Sequence, residues 1–153
     1  SIRELVENNI QLDFWGDLSP LPPKLRKLID QTDELSKQCT GMQVHVCLNY
    51  GGRDEILRAA RALAQDCLDG KLKPENIGEE ELEEYLCSNG VPDPDLVIRP
   101  SGEVRISNFL LWECAYSEFY FTDTLWPDFG REEIYKAIAE FQKRNRRYGG
   151  LSR

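Results

Sequence analysis

Two arginines six positions apart, Arg99 and Arg105, flank a Ser101-Gly102 turn, and Ser107-Asn108 follows directly. Guanidinium groups give planar, bidentate recognition of phosphate oxygens. The apolar run Leu96-Val97-Ile98 before this loop reads as a strand. The run Phe109-Leu110-Leu111-Trp112 after it reads as part of a helix, covering Phe109 to Tyr116, which the Ser-Asn pair would open. A helix N-terminus adds unpaired N–H groups and a positive dipole end. Strand, basic loop and helix start together describe a diphosphate site. The same spacing also suits a surface loop whose arginines pair with nearby carboxylates.

A second polar loop, Asn49-Tyr50-Gly51-Gly52-Arg53, follows the apolar run Val44 to Leu48. Its glycines permit a tight turn. In open parallel sheets ligands bind beyond the carboxyl ends of strands, so two such loops suggest one shared cleft. His45 alternates within Val44-His45-Val46-Cys47-Leu48 and reads as one face of a strand. With a single histidine and five cysteines lacking C-x-x-C spacing, a zinc site is not expected and reduced, structural thiols in a reducing compartment are.

The elements that must position these loops alternate. Ile10 to Trp15 reads as a strand closed by Gly16-Asp17. Leu25, Leu28, Ile29 and Leu35 recur at helical spacing behind Pro20, Pro22 and Pro23. Ile56, Leu57, Ala60, Leu63, Ala64 and Leu68 mark the next helix, and an acidic segment over 79–87 a short one. Phe119-Tyr120-Phe121 reads as the last strand and Ile134, Ala137, Ile138 and Phe141 as the last helix, with Glu132 and Glu133 suiting its dipole. Strands separated by helices imply an α/β fold with a mainly parallel central sheet flanked by helices.

At 153 residues the chain is one domain by length. A formal net charge of −8 argues against a nucleic-acid partner, which needs a broad basic surface. A local arginine cluster can still dominate one cleft. The one basic run, 143–147, suits a helix end. No apolar run approaches the roughly 20 residues of a membrane span. The opening Ser1-Ile2-Arg3-Glu4-Leu5-Val6-Glu7 looks like the interior of a helix, so further chain upstream is expected.

Several segments, in order, resemble the cis-prenyltransferases, the undecaprenyl diphosphate synthase family. They are Trp15-Gly16-Asp17 with Leu21-Pro22, Asn49 to Arg53, Asp93 to Arg99, Ser101-Gly102-Glu103, Arg105 to Trp112, Ala115 to Glu118, Trp126 to Phe129, and Phe141-Gln142 through Gly149. The resemblance spans residues 1–153 as the C-terminal part of one catalytic domain, and it is densest from Asp93 to Phe129. It implies condensation of isopentenyl diphosphate with an allylic diphosphate to give a cis-prenyl diphosphate.

By the same resemblance Arg99, Arg105 and Ser107, with Ser101 and Gly102, hold the diphosphate of isopentenyl diphosphate. Asn49, Arg53, Glu103 and Asn108 stand in the active-site vicinity. Glu118 helps hold Mg²⁺, a hard cation suited to carboxylate oxygen. Arg147 and Gly149 form an Arg-X-Gly tail that reaches substrate diphosphate across a homodimer. A cytoplasmic location is implied, or the plastid stroma given an upstream transit peptide, with peripheral membrane association if the product is long.

Three departures qualify this. The family's N-terminal half, with its Asp-Gly-Asn-Gly-Arg segment, catalytic aspartate and tunnel helices, is expected upstream, so this chain alone should be inactive. Pro100 replaces a usual threonine, removing an N–H and favouring extended backbone at Arg99. Val104 replaces a histidine that some members place near the metal. Alternatives are irregular coupling of two allylic diphosphates, a non-catalytic partner subunit of a heteromeric prenyltransferase, and a nucleotide-binding module. The last lacks any P-loop or G-x-G-x-x-G sequence.

Overall fold

The computed structural model describes residues 1–144. Its order is α1 (Ile2–Glu7), β1 (Gln11–Trp15), α2 (Pro23–Ser36), β2 (Gln43–Cys47), α3 (Gly52–Leu68), α4 (Glu79–Glu83), β3 (Leu96–Arg99), β4 (Glu118–Phe121) and α5 (Arg131–Gln142). Short 3-10 turns at Pro74–Asn76 and Trp126–Asp128 join α3 to α4 and β4 to α5. The Ser1 side chain accepts from the Glu4 N–H at the start of α1.

The α/β class with parallel strands holds, but the strands form two parallel pairs rather than one ladder. In the first pair Gln11 faces Gln43 and Trp15 faces Cys47. In the second Leu96 faces Glu118 and Arg99 faces Phe121. The first crossover carries α2, pinned to β1 by Ser36, whose buried hydroxyl accepts from the Leu12 N–H at 3.1 Å and donates to its carbonyl at 3.3 Å.

The second crossover, 100–117, contains no α-helix. The helix expected over Phe109 to Tyr116 is a succession of turns, with isolated bonds such as Cys114 N–H to Leu110 O at 2.9 Å. Positive φ angles at Ser107 (49°), Asn108 (64°) and Leu110 (46°) break any helical path there. The acidic helix α4 also ends earlier than expected, at Glu83.

Trp15, Ile29, Ala59, Leu63, Leu86, Cys114 and Ala137 form the core. His45 sits on its β2 face as expected, stacked on Trp15 at 4.3 Å with Nδ1 3.3 Å from Asp13 Oδ2. All five cysteines are unpaired. Burial pushes the Cys47 thiol up to about 11, which keeps it protonated and unreactive. Leu25, Leu28 and Leu35 on α2 and Ile134, Tyr135 and Ile138 on α5 remain exposed. No helix among the described residues is long and apolar enough to cross a membrane.

Candidate diphosphate site

Arg99 is the last residue of β3, held extended ahead of Pro100 and opposite Phe121. The chain then turns through left-handed backbone at Ser101 (φ 69°) and Gly102 (φ 73°). This turn is tied to the segment after β4. The Ser101 N–H donates to Thr124 O at 2.9 Å, the Gly102 N–H to Thr122 O at 3.0 Å, and the Trp126 N–H to Ser101 Oγ at 3.2 Å.

The returning loop brings Arg105 and Ser107 to Arg99. All three line one cavity of about 320 Å³, within the range of small-ligand pockets. Phe109, Phe119 and Phe121 supply much of its apolar wall. Phe119 and Phe121 share a strand face, two residues apart, with ring centroids 5.9 Å apart. The lining thus combines cationic and hydroxyl groups with aromatic and aliphatic surface.

Arg99 Nη1 donates to Arg105 O at 2.5 Å, which braces the loop. A guanidinium has five N–H donors, so the others stay available to a ligand. Arg105 donates through Nε to Glu103 Oε2 at 2.7 Å and also pairs through Nη2 with the same oxygen. That carboxylate occupies the Nε and Nη2 donors of Arg105. The expected helix N-terminus at Ser107 is absent, so no helix dipole aids an anion there.

The Asn49–Arg53 loop does meet this loop, but by bracing it. Asn49 Nδ2 donates to Asp17 O at 3.0 Å, and the Asp17 N–H donates to Asn49 O at 3.1 Å, so the ends of β1 and β2 are tied. Gly16 is required there: φ is 125°, and a Cβ would lie 1.9 Å from Leu48 O. Arg53 is exposed on the first turn of α3, with its backbone N–H on Asn108 Oδ1 at 2.9 Å. The Gly52 N–H meets Asn108 O at 2.7 Å.

Beneath lies a buried polar cluster that sequence patterning missed. Glu55 and Glu113 are 4% and 2% exposed. Glu55 accepts from the Tyr50 hydroxyl at 2.5 Å and the Cys87 N–H at 2.9 Å. Both Glu113 oxygens are buried and make no hydrogen bond of ordinary geometry among the described residues, although Ser88 and Glu55 interact with the carboxyl. Burial raises the Glu113 carboxyl above its ordinary range, and the neighbouring Glu55 adds to the rise. Burial and the Glu55 contact push the Tyr50 hydroxyl up, so it remains a donor. Its ring meets Phe109 edge-on at 5.9 Å. The residues at i−4 and i+4 of Glu55, Gly51 and Ala59, are small enough to signal close packing on that helix face.

Glu118 is not brought to the arginine pair. It opens β4 opposite Leu96, at the other end of the strand pair from Arg99. Its Oε2 lies 3.5 Å from Arg144 Nη1, which also donates to Phe119 O at 2.5 Å. Among the described residues no three His, Cys, Asp or Glu side chains are grouped to hold a metal ion. Arg147 and Gly149 lie outside the described residues.

Residues 1–149 match the prenyltransferase family model of undecaprenyl diphosphate synthase. The chain belongs to this family. It is 47% identical over 150 residues to an isoprenyl transferase of Clostridium tetani, covering 98% of this chain and 59% of that relative. It is 49% identical over 150 residues to an isoprenyl transferase of Prochlorococcus marinus, covering 98% and 55%. The fold matches lavandulyl diphosphate synthase from Lavandula x intermedia, solved with dimethylallyl diphosphate, at a TM-score of 0.94 and 40% identity over 97% of this chain and 65% of that one. It matches a probable undecaprenyl diphosphate synthase of Campylobacter jejuni at a TM-score of 0.84 and 38% identity, over 97% and 67%. The chain therefore spans little more than half the length of the curated relatives it matches.

Proposed function

We propose that this chain is the isopentenyl-diphosphate-holding part of a cis-prenyltransferase, which condenses that substrate with an allylic diphosphate. The observation that carries the reading is the cavity at the end of β3, which Arg99, Arg105 and Ser107 line together with Phe109, Phe119 and Phe121. Two guanidinium groups and a hydroxyl suit a diphosphate, and the aromatic wall suits a short branched hydrocarbon. In the reaction the isopentenyl alkene attacks the allylic carbon as its C–O bond breaks. Diphosphate leaves with the bonding pair, and a proton lost from the new cation gives the cis double bond. This chain's share is to fix the nucleophile, so that the encounter becomes effectively intramolecular.

The described residues do not by themselves fit a Mg²⁺ site. Glu118 offers one carboxylate, already beside Arg144, and no group of three His, Cys, Asp or Glu side chains forms among the described residues. No step here runs through the ion, whose remaining ligands we assign to the part of the protein outside this chain, together with the catalytic aspartate. We extend the proposal to a homodimer whose Arg147 and Gly149 tail contacts substrate diphosphate across subunits.

Arg105→Ala in the full-length enzyme tests the reading. The KM for isopentenyl diphosphate should rise about 10- to 100-fold, as loss of charge-assisted hydrogen bonds implies, while the melting temperature stays within a degree or two. An unchanged KM overturns the assignment.

A further inference from the structure

We propose that Asn108 is a positioning residue, clamping the Arg105–Ser107 loop onto the N-terminus of α3 so that both side chains are held at the cavity; this rests on the diphosphate reading of that cavity. Helix α3 opens with Gly51 as its N-cap, a residue with no side chain to accept from the first-turn N–H groups. Asn108 supplies the missing acceptors from another part of the chain. Its carbonyl takes the Gly52 N–H at 2.7 Å and its Oδ1 takes the Arg53 N–H at 2.9 Å.

The fit is close on both sides. A Cβ on Gly51 would stand 2.9 Å from Asn108 Nδ2. One on Gly52 would stand 2.8 Å from Leu111 Cγ and 3.0 Å from Asn108 O. The loop is bent to reach this seat, with φ of 49° at Ser107, 64° at Asn108 and 46° at Leu110. Such backbone persists only where its surroundings over-determine it. The helix it grips is anchored in the core by Ala59 and Leu63, which are 0% and 4% exposed. Ser107 is the neighbouring residue and Arg105 lies two further back, so freedom at Asn108 passes directly to the phosphate-facing groups. The Gly51-Gly52 pair is thereby explained as the socket for an asparagine.

The test uses the full-length enzyme and two substitutions. Asn108→Gly removes Oδ1 yet suits a φ of 64° and keeps the backbone bond to Gly52. Asn108→Asp keeps the acceptor for the Arg53 N–H. Asn108→Gly should raise the KM for isopentenyl diphosphate about fivefold to tenfold, the factor matching one lost cap bond. The KM for the allylic diphosphate should stay within twofold, and Asn108→Asp should restore the first KM to within twofold of wild type. An unchanged isopentenyl diphosphate KM, an equal rise for both substrates, or failure of Asn108→Asp to restore it overturns the positioning role. Arg105→Ala in the same assay separates the two claims. If it raises that KM while Asn108→Gly does not, only the clamp fails; if it leaves the KM unchanged, the diphosphate reading itself fails.

Discussion

Two polar, glycine-bearing loops follow strands β2 and β3, and they do different work. Beyond β3, Arg99, Arg105 and Ser107 line a cavity, and Arg105 is paired with the half-buried Glu103 carboxylate. Beyond β2, Asn49 and the backbone of Gly52 and Arg53 bond to other protein groups. One loop leaves two arginines at a cavity; the other ties its Asn49 side chain and the Gly52 and Arg53 N–H groups into the protein, leaving the Arg53 side chain exposed, and holds the first in place. Similar composition at similar strand ends therefore does not imply similar roles. What separates them is where the hydrogen bonds already go.

Substitutions that disturb one loop without the other sharpen this contrast. The largest effect on stability is expected at Gly16, on the bracing side. Gly16→Ala forces a Cβ to 1.9 Å from Leu48 O at a φ of 125°, which should cost about 3 kcal/mol or more. Thermal unfolding checks it, and the folded fraction should still bind isopentenyl diphosphate normally. Loss of binding at full stability would place the β2 end in the ligand site instead.

A smaller effect concerns the buried carboxyls below. The folded protein holds the Glu113 proton more tightly than the unfolded chain, because its carboxyl is raised above the ordinary 4.5. Its contribution to stability is therefore fully present below that value and falls as pH rises toward the folded value. Glu113→Gln removes this slope. Denaturant titrations should show the variant gaining stability relative to wild type as pH rises from 4 to 8. A gain independent of pH would show that ionisation is not the cause.

The smallest effect is expected at Glu103. Glu103→Gln removes the internal anion from Arg105 and should tighten isopentenyl diphosphate binding about threefold, the scale of an exposed ion pair. Weaker binding would mean that Glu103 orients Arg105 for the ligand rather than competing with it.

Much of the frame was legible in the residues. Val44 to Leu48 and Leu96 to Ile98 announce strands through β-branched apolar runs, and Leu25 to Leu35 and Ile56 to Leu68 announce helices by spacing. The segment Phe109 to Tyr116 did not, because its path is set at long range. The bonds of Asn108 to Gly52 and Arg53 cross more than fifty positions, and local propensity cannot register them. The gathering of Arg99, Arg105 and Ser107 on one cavity followed the loop spacing, whereas the Phe119 and Phe121 wall followed strand alternation that had gone unused. Glu118 stands apart from them because parallel pairing puts the start of β4 beside the start of β3. Glu55 and Glu113 were missed because charged residues in a polar sequence resemble solvated ones until burial is known.

The central claim is that the loop after β3 holds a diphosphate. Calorimetric titration of isopentenyl diphosphate into the full-length enzyme and its Arg99→Ala/Arg105→Ala double variant tests it most directly. The account predicts that the double variant remains folded and that its binding heat disappears over the range that saturates the wild type. A dissociation constant equal to that of the wild type would contradict it.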